Sequence, residues 1–272
     1  MFPVLQKRKL SENTYLMEIE APEIAKKAKA GQFLVLRIDE KGERIPLTIA
    51  DSDKKVITIV FLVVGKTTTE LSLLKKGDSL LDVVGPLGNP SKIQEYGNVV
   101  IIGGGLGIAP IYPITKALKQ AKNKVTAIIG AKSKDHLFWE DRFKEISDRV
   151  LIATDDGSKG KKGFVSDVLK ELMQKEKIDL VIAIGPPIMM KAVSDVTRDR
   201  IKTIVSLNPI MVDGMGMCGG CRVVVDGKVK FACCDGPEFN GHQIDWSELM
   251  NRNKTYSDEE KCALGDAGRC QK

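Results

Sequence analysis

Four cysteines and an aspartate near the C-terminus have the types and spacing of an iron–sulfur site. Asp213, Cys218 and Cys221 form the pattern D-x4-C-x2-C, and Cys233 and Cys234 follow. Plant-type 2Fe-2S sites use C-x4-C-x2-C with a distant fourth cysteine, so Asp213 stands where their first cysteine would be. Thiolates suit iron–sulfur clusters, and a carboxylate also binds ferric iron but donates less electron density. The pattern therefore predicts a 2Fe-2S cluster with a raised reduction potential.

Two other uses of these cysteines stay open: a zinc knuckle, which would make the chain a zinc-bearing interaction module, and free structural thiols. All six cysteines lie between positions 218 and 270, whereas a secreted disulfide scaffold would distribute them along a short chain. Cys262 and Cys270 lie outside the pattern and are not expected to be ligands. The chain has only two histidines, which leaves little material for histidine-based zinc catalysis or a serine–histidine triad.

A predicted hairpin separates the two groups of cysteines. Its strands are Arg222–Val225 and Lys228–Phe231, and the dipeptide Asp-Gly between them is a strong hairpin signal. A strict two-residue turn would place Cys234 on the face of Cys221, whereas a three-residue loop with a glycine bulge would place Cys233 there. The residues alone leave both registers open.

Two further motifs have the character of nucleotide sites. Gly105, Gly107 and Pro110 form G-x-G-x-x-P between a predicted strand and a predicted helix, where glycines and free helix amides can receive a pyrophosphate. A tight structural turn is the alternative interpretation. In the strand R-I-P-L-T-I-A-D, Arg44 could clamp a diphosphate and the Thr48 hydroxyl could reach an isoalloxazine edge.

The elements that must position these residues fall into three predicted regions. Residues 1–95 contain short strands separated by Gly, Pro and Asp turns, which predicts an antiparallel β-barrel with one helix near Thr68–Lys75. Residues 96–206 alternate apolar strands with helices, among them Leu137–Ile146, which predicts a parallel-sheet α/β domain. Residues 207–272 form the predicted cluster-binding domain. The predicted fold class is thus a β-barrel, an α/β parallel-sheet domain and a small 2Fe-2S domain.

Composition excludes several classes of function. The chain has 272 residues and a net charge of +6, and its lysines are not interleaved with aromatic residues as single-strand nucleic-acid binders require. No apolar run approaches the roughly 18 residues of a membrane helix, and the N-terminus lacks a secretory signal pattern. We expect a cytoplasmic protein that binds neither nucleic acid nor membrane.

Together these motifs resemble the ferredoxin–NADP reductase superfamily over nearly the whole chain. R-I-P-L-T resembles its flavin-binding strand, and G-x-G-x-x-P together with I-G-P-P-I-M-M resembles its nicotinamide-side motifs. The family has a cysteine where this chain has Ile184, so the role of that cysteine cannot be transferred. The resemblance implies bound FAD, one 2Fe-2S cluster and NAD(H) or NADP(H) as hydride donor or acceptor.

Within the superfamily, the sequence is most similar to the small subunits of NADH-dependent ferredoxin:NADP oxidoreductases, which share R-I-P-L-T-I-A-D and M-V-D-G-x-G-M-C-G-x-C-R. That resemblance implies an electron-bifurcating enzyme, with ferredoxin as electron carrier and a larger FAD- and 4Fe-4S-containing partner similar to the glutamate synthase small subunit. It makes Asp213, Cys218, Cys221 and Cys233 the cluster ligands, and thereby favours the bulged hairpin. An electron-transfer subunit of dihydroorotate dehydrogenase or of a hydrogenase is the alternative.

The resemblance also implies roles for single residues. Thr48 would lie at the flavin N5 and Arg44 at the flavin phosphates. The remaining residues implied to line the flavin site are Pro46, Leu47, Ile49, Gly65, Lys66, Thr67 and Thr68. Those implied to line the dinucleotide site are Gly105, Gly107, Pro110, Asp155, Asp156, Gly185 and Met189. Lys132, Ser133 and Lys134 could receive a 2′-phosphate, although the family precedent favours NADH.

Overall fold

The N-terminal third of the chain is a seven-stranded antiparallel sheet that curls into a barrel. The computed structural model describes residues 1–265. The elements of this unit are β1 (Phe2–Ser11), β2 (Thr14–Glu20), α1 (Pro22–Ala25), β3 (Phe33–Arg37), β4 (Ile45–Asp53), β5 (Val56–Leu62), α2 (Lys66–Leu73), β6 (Ser79–Leu80) and β7 (Asp82–Leu87). The strand order is β6-β1-β2-β5-β4-β3-β7.

The two edge strands of this sheet, β6 and β7, are separated in sequence only by Leu81. The Leu81 N–H donates to the carbonyls of Arg37 and Ile38 at 3.1 and 3.0 Å, so the chain passes directly from one edge of the sheet to the other. The sheet is therefore nearly closed. Its interior is filled by apolar side chains that alternate along the strands, including Met17, Ile57 and Phe61.

The next unit is a sheet of parallel strands with helices on both faces. Its elements are β8 (Asn98–Gly104), α3 (Ile108–Gln120), β9 (Lys124–Ala131), α4 (Glu140–Ile146), β10 (Arg149–Thr154), β11 (Lys161–Lys162), α5 (Val165–Lys175), β12 (Leu180–Ile184), α6 (Pro187–Thr197) and β13 (Thr203–Ser206). The strand order is β11-β10-β9-β8-β12-β13-β16, where β16 (Glu238–Asn240) comes from the C-terminal region. The central strands are buried on both faces, as expected for a parallel sheet covered by helices.

The C-terminal region packs against both preceding units. It consists of β14 (Arg222–Val225), β15 (Lys228–Phe231), β16 (Glu238–Asn240), α7 (Trp246–Arg252) and α8 (Ser257–Ala263). Strands β14 and β15 form a separate hairpin, whereas β16 pairs antiparallel with β13. The cysteine region thus contributes the last strand of the nucleotide-type sheet.

The predicted fold class is confirmed, and several predictions about single elements need correction. The barrel region has two helices instead of one, and the predicted helix Thr68–Lys75 runs from Lys66 to Leu73, because Gly65 caps its start and Leu74 has the extended ψ of 146°. Strand β1 was not predicted, because its residues 7–9 are charged and most of the strand is only partly buried. The predicted helix Leu137–Ile146 begins only at Glu140. The preceding residue, Trp139, has the left-handed backbone angles φ 61° and ψ 16°, which interrupt a helix. None of the helices within residues 1–265 is long and apolar enough to cross a bilayer.

The three regions meet at Glu238 on β16. The Ser91 hydroxyl, in the segment that leaves the barrel, donates to the Glu238 carboxylate. A Cβ on Gly31 would lie 2.1 Å from the Ser91 Oγ and 3.2 Å from the Glu238 Oε1, so the packing around this pair is tight. Burial raises the pKa of Glu238, and the hydrogen bond from Ser91 opposes this in part.

The Glu238→Gln variant should lose a pH-dependent component of stability. A raised pKa in the folded state means that ionisation is easier in the unfolded chain. The free energy of unfolding of the wild type should therefore fall as pH rises above the unfolded value of about 4.3, until Glu238 also ionises when folded. Glutamine cannot ionise, so the difference between the two proteins should change across this window. Urea unfolding from acidic to neutral pH measures it, and parallel stability curves would contradict the assignment.

Candidate functional site

The glycine-rich motif lies where the connections from neighbouring strands turn in opposite directions. From β8 the chain continues to β9 and β10 on one side, while β12 on the other side continues to β13. In open α/β sheets, ligands bind beyond the carboxyl ends of the strands at such a switch point. The turn Gly105–Gly107 after β8 and the segment Gly185–Met189 after β12 both lie there. The structure therefore brings the two predicted nicotinamide-side motifs together.

Close packing explains the glycines of this crevice. A Cβ on Gly107 would lie 2.0 Å from the carbonyl oxygen of Ile184, so the turn after β8 presses directly on the end of β12. Gly105 has φ +55°, and a Cβ there would meet nothing within 4 Å. Glycine is therefore needed at position 105 for its left-handed backbone conformation, and it leaves open space above the turn. At position 107 glycine is needed because the turn and the end of β12 approach each other closely.

Met189 borders the same crevice, and Pro110 lies on the helix that follows the glycine turn. A Cβ on Gly104 would lie 2.2 Å from the Met189 Sδ, and one on Gly185 would lie 2.8 Å from the Met189 Cε. Met189 therefore covers both glycines and forms part of the crevice wall. Pro110 lies in the first turn of α3, where its missing N–H removes no helical hydrogen bond.

The loop after β10 carries the two predicted acids. Asp155 and Asp156 are exposed, and their backbone N–H groups donate to the carbonyls of Ala131 and Lys132 at 3.1 and 3.2 Å. The Asp156 carboxylate accepts hydrogen bonds from the Ser158 N–H and hydroxyl, which lower its pKa. Both acids are at the same edge of the sheet as the glycine turn, on the second strand from β8.

Phe164, which the sequence did not single out, lies at this edge too. It immediately precedes α5, and its side chain is 63% exposed. The next residue, Val165, packs on Gly130 at the end of β9. An exposed aromatic ring beside a dinucleotide crevice is suited to stacking on a base. The signal that could have identified it is the pattern Lys162-Gly163-Phe164 just before a helix.

On the barrel, Arg44 and Thr48 lie just before and within β4. The Arg44 guanidinium is partly exposed and 3.8 Å from the Asp82 carboxylate. Thr48 is half-buried and pairs with Phe33 of β3. A positively charged side chain at the entrance to β4 and a hydroxyl within the strand thus lie four residues apart.

The other predicted residues of β4 divide into two groups. Pro46 and Leu47 are half-buried. The Ile49 side chain is 3% exposed and belongs to the barrel core, so only its backbone could contact a bound group.

The start of α2 offers a second set of polar groups on the barrel. The Thr68 Oγ1 accepts a hydrogen bond from the Gly65 N–H at 3.0 Å. Thr67 is buried and donates to the Glu43 carboxylate at 3.2 Å, while Lys66 is exposed. A Cβ on Gly65 would meet nothing within 4 Å. The helix start is therefore open on this side, as an anion site requires, with Thr68 serving as its cap.

The hairpin register differs from the one that the resemblance favours. Arg222 pairs with Phe231 and Val225 with Lys228, so the turn contains only two residues and no bulge. Cys233 nevertheless reaches Cys221, because the chain turns sharply after β15. The N–H groups of Cys234 and Asp235 both donate to the Phe231 carbonyl, at 3.0 and 2.7 Å. This turn, rather than strand alternation, orients Cys233. The predicted bulge is wrong.

Two sulfur atoms lie close to the Cys233 sulfur at this turn. The Cys221 and Cys233 Sγ atoms are 3.2 Å apart, and the Cys233 and Cys234 Sγ atoms are 3.6 Å apart. Burial and the neighbouring thiols raise the pKa of Cys233. Crowded thiols become thiolates only when a cation offsets their charge, and soft sulfur donors favour iron or zinc. The donor types therefore fit an iron–sulfur cluster, although no group of three or more cysteine, histidine, aspartate or glutamate side chains within residues 1–265 is arranged around one metal position.

The other predicted ligands lie on the loop before β14. The Asp213 carboxylate accepts hydrogen bonds from the N–H groups of Met215, Met217 and Cys218 at 2.7–3.0 Å, which help lower its pKa. Cys218 is exposed. Cys262 lies on α8, and Cys270 lies outside the described residues.

The cysteine site packs directly on the barrel. Cys221 and Cys233 share a buried apolar group with Phe33 and Val35 of β3. In the barrel sheet, Phe33 pairs with Thr48 and Val35 with Pro46 of β4. Only one strand therefore separates the sulfur donors from the strand that resembles a flavin-binding motif. This arrangement suits electron transfer between the two.

Comparison with known proteins agrees with this geometry. Residues 208–245 match the family model for the iron–sulfur cluster binding domain of dihydroorotate dehydrogenase B, and residues 101–195 match an oxidoreductase NAD-binding domain. The chain is 54% identical to a dihydroorotate dehydrogenase B electron transfer subunit homolog from Thermotoga maritima, over 95% of this chain and 92% of the relative. It is 36% identical to the electron transfer subunit of that enzyme from Desulforamulus reducens, over 87% and 94%.

A solved structure is similar over almost the whole chain. It is a chain of the NADH-dependent reduced ferredoxin-NADP oxidoreductase, described for its flavin-based electron bifurcation. The TM-score is 0.93 at 51% identity, and 98% of each chain is covered. The predicted oxidoreductase class and the cofactor set of FAD, an iron–sulfur cluster and a pyridine nucleotide are confirmed. The chain belongs to the ferredoxin–NADP reductase-like family of electron-transfer subunits that includes those of dihydroorotate dehydrogenase B.

Proposed function

We propose that the chain is the small subunit of an electron-bifurcating NADH-dependent ferredoxin:NADP oxidoreductase. The observation that carries the proposal is the position of the sulfur donors, one strand away from Thr48, in a chain that shares 51% identity with a subunit of such an enzyme. Electrons would pass between NADH, FAD and the 2Fe-2S cluster. The partner would be a larger FAD- and 4Fe-4S-containing subunit similar to the glutamate synthase small subunit, with ferredoxin as carrier. Clustered thiols require a reducing compartment, which supports a cytoplasmic location.

The residues of the chain have distinct tasks in this proposal. Arg44 and the open start of α2 would hold the flavin diphosphate, and Thr48 would place its hydroxyl at the flavin N5. Gly105 and Gly107 would let the dinucleotide approach the start of α3. When bound, the flavin accepts hydride from the nicotinamide and can release electrons singly, which the protein permits by orienting both rings.

NADH is the favoured nucleotide. Asp155 and Asp156 place carboxylates at the crevice edge, where they would repel a 2′-phosphate and could accept hydrogen bonds from ribose hydroxyls. Lys132 and Lys134 are exposed at the end of β9 nearby, so the preference rests on the balance of these charges. Steady-state rates with NADH and NADPH measure that balance directly.

Anaerobic purification and visible spectroscopy test the proposal. The expected result is a protein that contains one flavin, two irons and two inorganic sulfides. Its visible absorbance should decrease when NADH is added. A colourless protein containing stoichiometric zinc would support the zinc-bearing interaction module and refute the proposal.

An electron-transfer subunit of dihydroorotate dehydrogenase is the second candidate function. The match of residues 208–245 to the cluster-binding domain of that enzyme favours it. Native mass spectrometry of the complex isolated from cells distinguishes the candidates, because the small subunit would be similar in both while the partner would differ.

Phe164→Ala should weaken NADH binding with little effect on turnover. Stacking of a base on an aromatic ring contributes about 1–3 kcal/mol, so we expect the KM for NADH to rise about tenfold while kcat changes little. The Phe164→Tyr variant keeps the ring and should behave like the wild type. Steady-state kinetics with an artificial electron acceptor provide the measurement, and an unchanged KM in the alanine variant would remove Phe164 from the site.

A further inference from the structure

The cysteine region contains five donors for a cluster that needs four. Cys218, Cys221 and Cys233 are three of them, and either Asp213 or Cys234 could be the fourth. The two candidates come from opposite sides of the hairpin: Asp213 precedes β14, and Cys234 follows β15. The family pattern uses the first cysteine of C-x-D-G-P and leaves its second position, occupied here by Cys234, without a role.

Competing contacts occupy the Asp213 carboxylate. Its Oδ1 accepts from the Met215 N–H at 3.0 Å, and its Oδ2 accepts from the N–H groups of Met217 and Cys218 at 2.9 and 2.7 Å. These hydrogen bonds draw electron density from both oxygens and weaken them as metal donors. They also fix the loop that carries Cys218, so Asp213 contributes to the site even when it binds no metal.

Among the residues that the structure describes, no backbone N–H donates to the Cys234 sulfur, which lies beside the predicted ligand Cys233. Its Sγ is 3.6 Å from that of Cys233, and its side chain is exposed. A Cβ on Gly216 would lie 2.6 Å from the Cys234 Sγ, which places this sulfur against the middle of the Asp213–Cys218 loop. Gly216 has φ +87°, a left-handed conformation that favours glycine. A larger residue at this position would also collide with the Cys234 sulfur.

The Asn89 side chain supports this placement of Cys234. Its amide donates to the Cys234 carbonyl at 2.8 Å, and its backbone N–H donates to the Gly236 carbonyl at 2.7 Å. Asn89 lies in the segment that leaves the barrel, so the turn bearing Cys233 and Cys234 is attached to the flavin-type unit. The sulfur is therefore held in position by the fold and not only by its neighbour in sequence.

We propose that Cys234 is an interchangeable ligand of the cluster, which exists in one coordination state with Asp213 and another with Cys234. In the exchange, the iron–oxygen bond to Asp213 breaks, an iron–sulfur bond to Cys234 forms, and the thiol proton leaves to solvent. No electron moves. A thiolate donates more electron density than a carboxylate, so the Cys234 state has the lower reduction potential. This inference rests on the proposed cluster and would give the subunit two potentials for one site.

Paired variants test the inference. Asp213→Asn keeps an acceptor oxygen for the loop amides but removes the carboxylate ligand, and it should retain the cluster through Cys234. In the double variant Asp213→Asn with Cys234→Ser, the iron content per protein should fall about tenfold, as expected when a metal site lacks a ligand. In the single variant, Cys234 should resist iodoacetamide in mass-spectrometric mapping of the anaerobic holoprotein. Cys218→Ser, which lacks a ligand in either state, calibrates the loss of iron.

The wild type provides a second measurement that does not depend on the folding of Asp213→Asn. Its reduced cluster should give two overlapping electron paramagnetic resonance signals, and Cys234→Ser should remove one of them. The inference is overturned if Asp213→Asn and the double variant have equal iron contents, or if the wild type and Cys234→Ser have superimposable signals. A wild-type protein that contains no iron and sulfide would instead refute the proposed function itself.

Discussion

Replacing Cys221 by serine is expected to abolish the iron–sulfur cluster and leave the flavin bound. Cys221 is 1% exposed, and its sulfur lies 3.2 Å from that of Cys233, so it is the most enclosed of the sulfur donors. Serine has nearly the same size but offers a harder oxygen donor that matches iron less well. Iron content should fall at least about tenfold. Electron delivery to an acceptor that depends on the cluster should fall by a similar factor.

Flavin-dependent activity separates this result from general misfolding. Thr48 is on β4 and Arg44 immediately precedes that strand, while Cys221 packs against β3. NADH oxidation by a dye that accepts electrons from flavin should therefore continue at a rate close to that of the wild type. Cys234→Ser, which leaves the coordination state with Asp213 intact, is the matched control and should retain iron through Asp213. A Cys221→Ser protein with unchanged iron and visible spectrum would show that the cysteines serve another purpose.

Replacing Gly107 by alanine should damage the nucleotide crevice more than an alanine substitution at any other glycine of the same turn. The added Cβ would lie 2.0 Å from the Ile184 carbonyl oxygen and 2.6 Å from its carbon, and both are backbone atoms that cannot rotate away. Either β12 or the turn after β8 must move. Overpacking of this kind costs about 1–3 kcal/mol of stability. A shift of this backbone also displaces the start of α3, so we expect kcat/KM for NADH to fall about tenfold or more.

Gly105→Ala is the matched control for this effect. Gly105 has φ +55° but nothing within 4 Å of an added Cβ, so its substitution tests backbone strain without a collision. A left-handed residue other than glycine costs about 1–2 kcal/mol. Urea unfolding together with NADH kinetics should show both variants destabilised, with the larger kinetic defect in Gly107→Ala. Equal or reversed kinetic defects would mean that the crevice tolerates movement of β12.

Most elements and motifs could be predicted from local sequence patterns, because the interactions that determine strands, helices and turns act over a few residues. Alternation of apolar side chains predicted the barrel strands, and the run Asp-Gly predicted the two-residue hairpin as one of two registers. The glycine motif between a strand and a helix predicted a crevice that the strand order then placed at a switch point. Strand β1 escaped prediction because its charged residues obscure the alternation.

The sequence by itself determined which chemical groups this protein can use: soft sulfur donors, one carboxylate, a glycine turn and an arginine-bearing strand. The tertiary structure decided which of them meet. The turn at Phe231 orients Cys233 toward Cys221, and β3 joins the sulfurs to the flavin-type strand across residues far apart in the chain. The same turn after β15 places the Cys234 sulfur against Gly216. Such meetings depend on packing between distant segments, whose energy is shared among many contacts, so no local spacing encodes them.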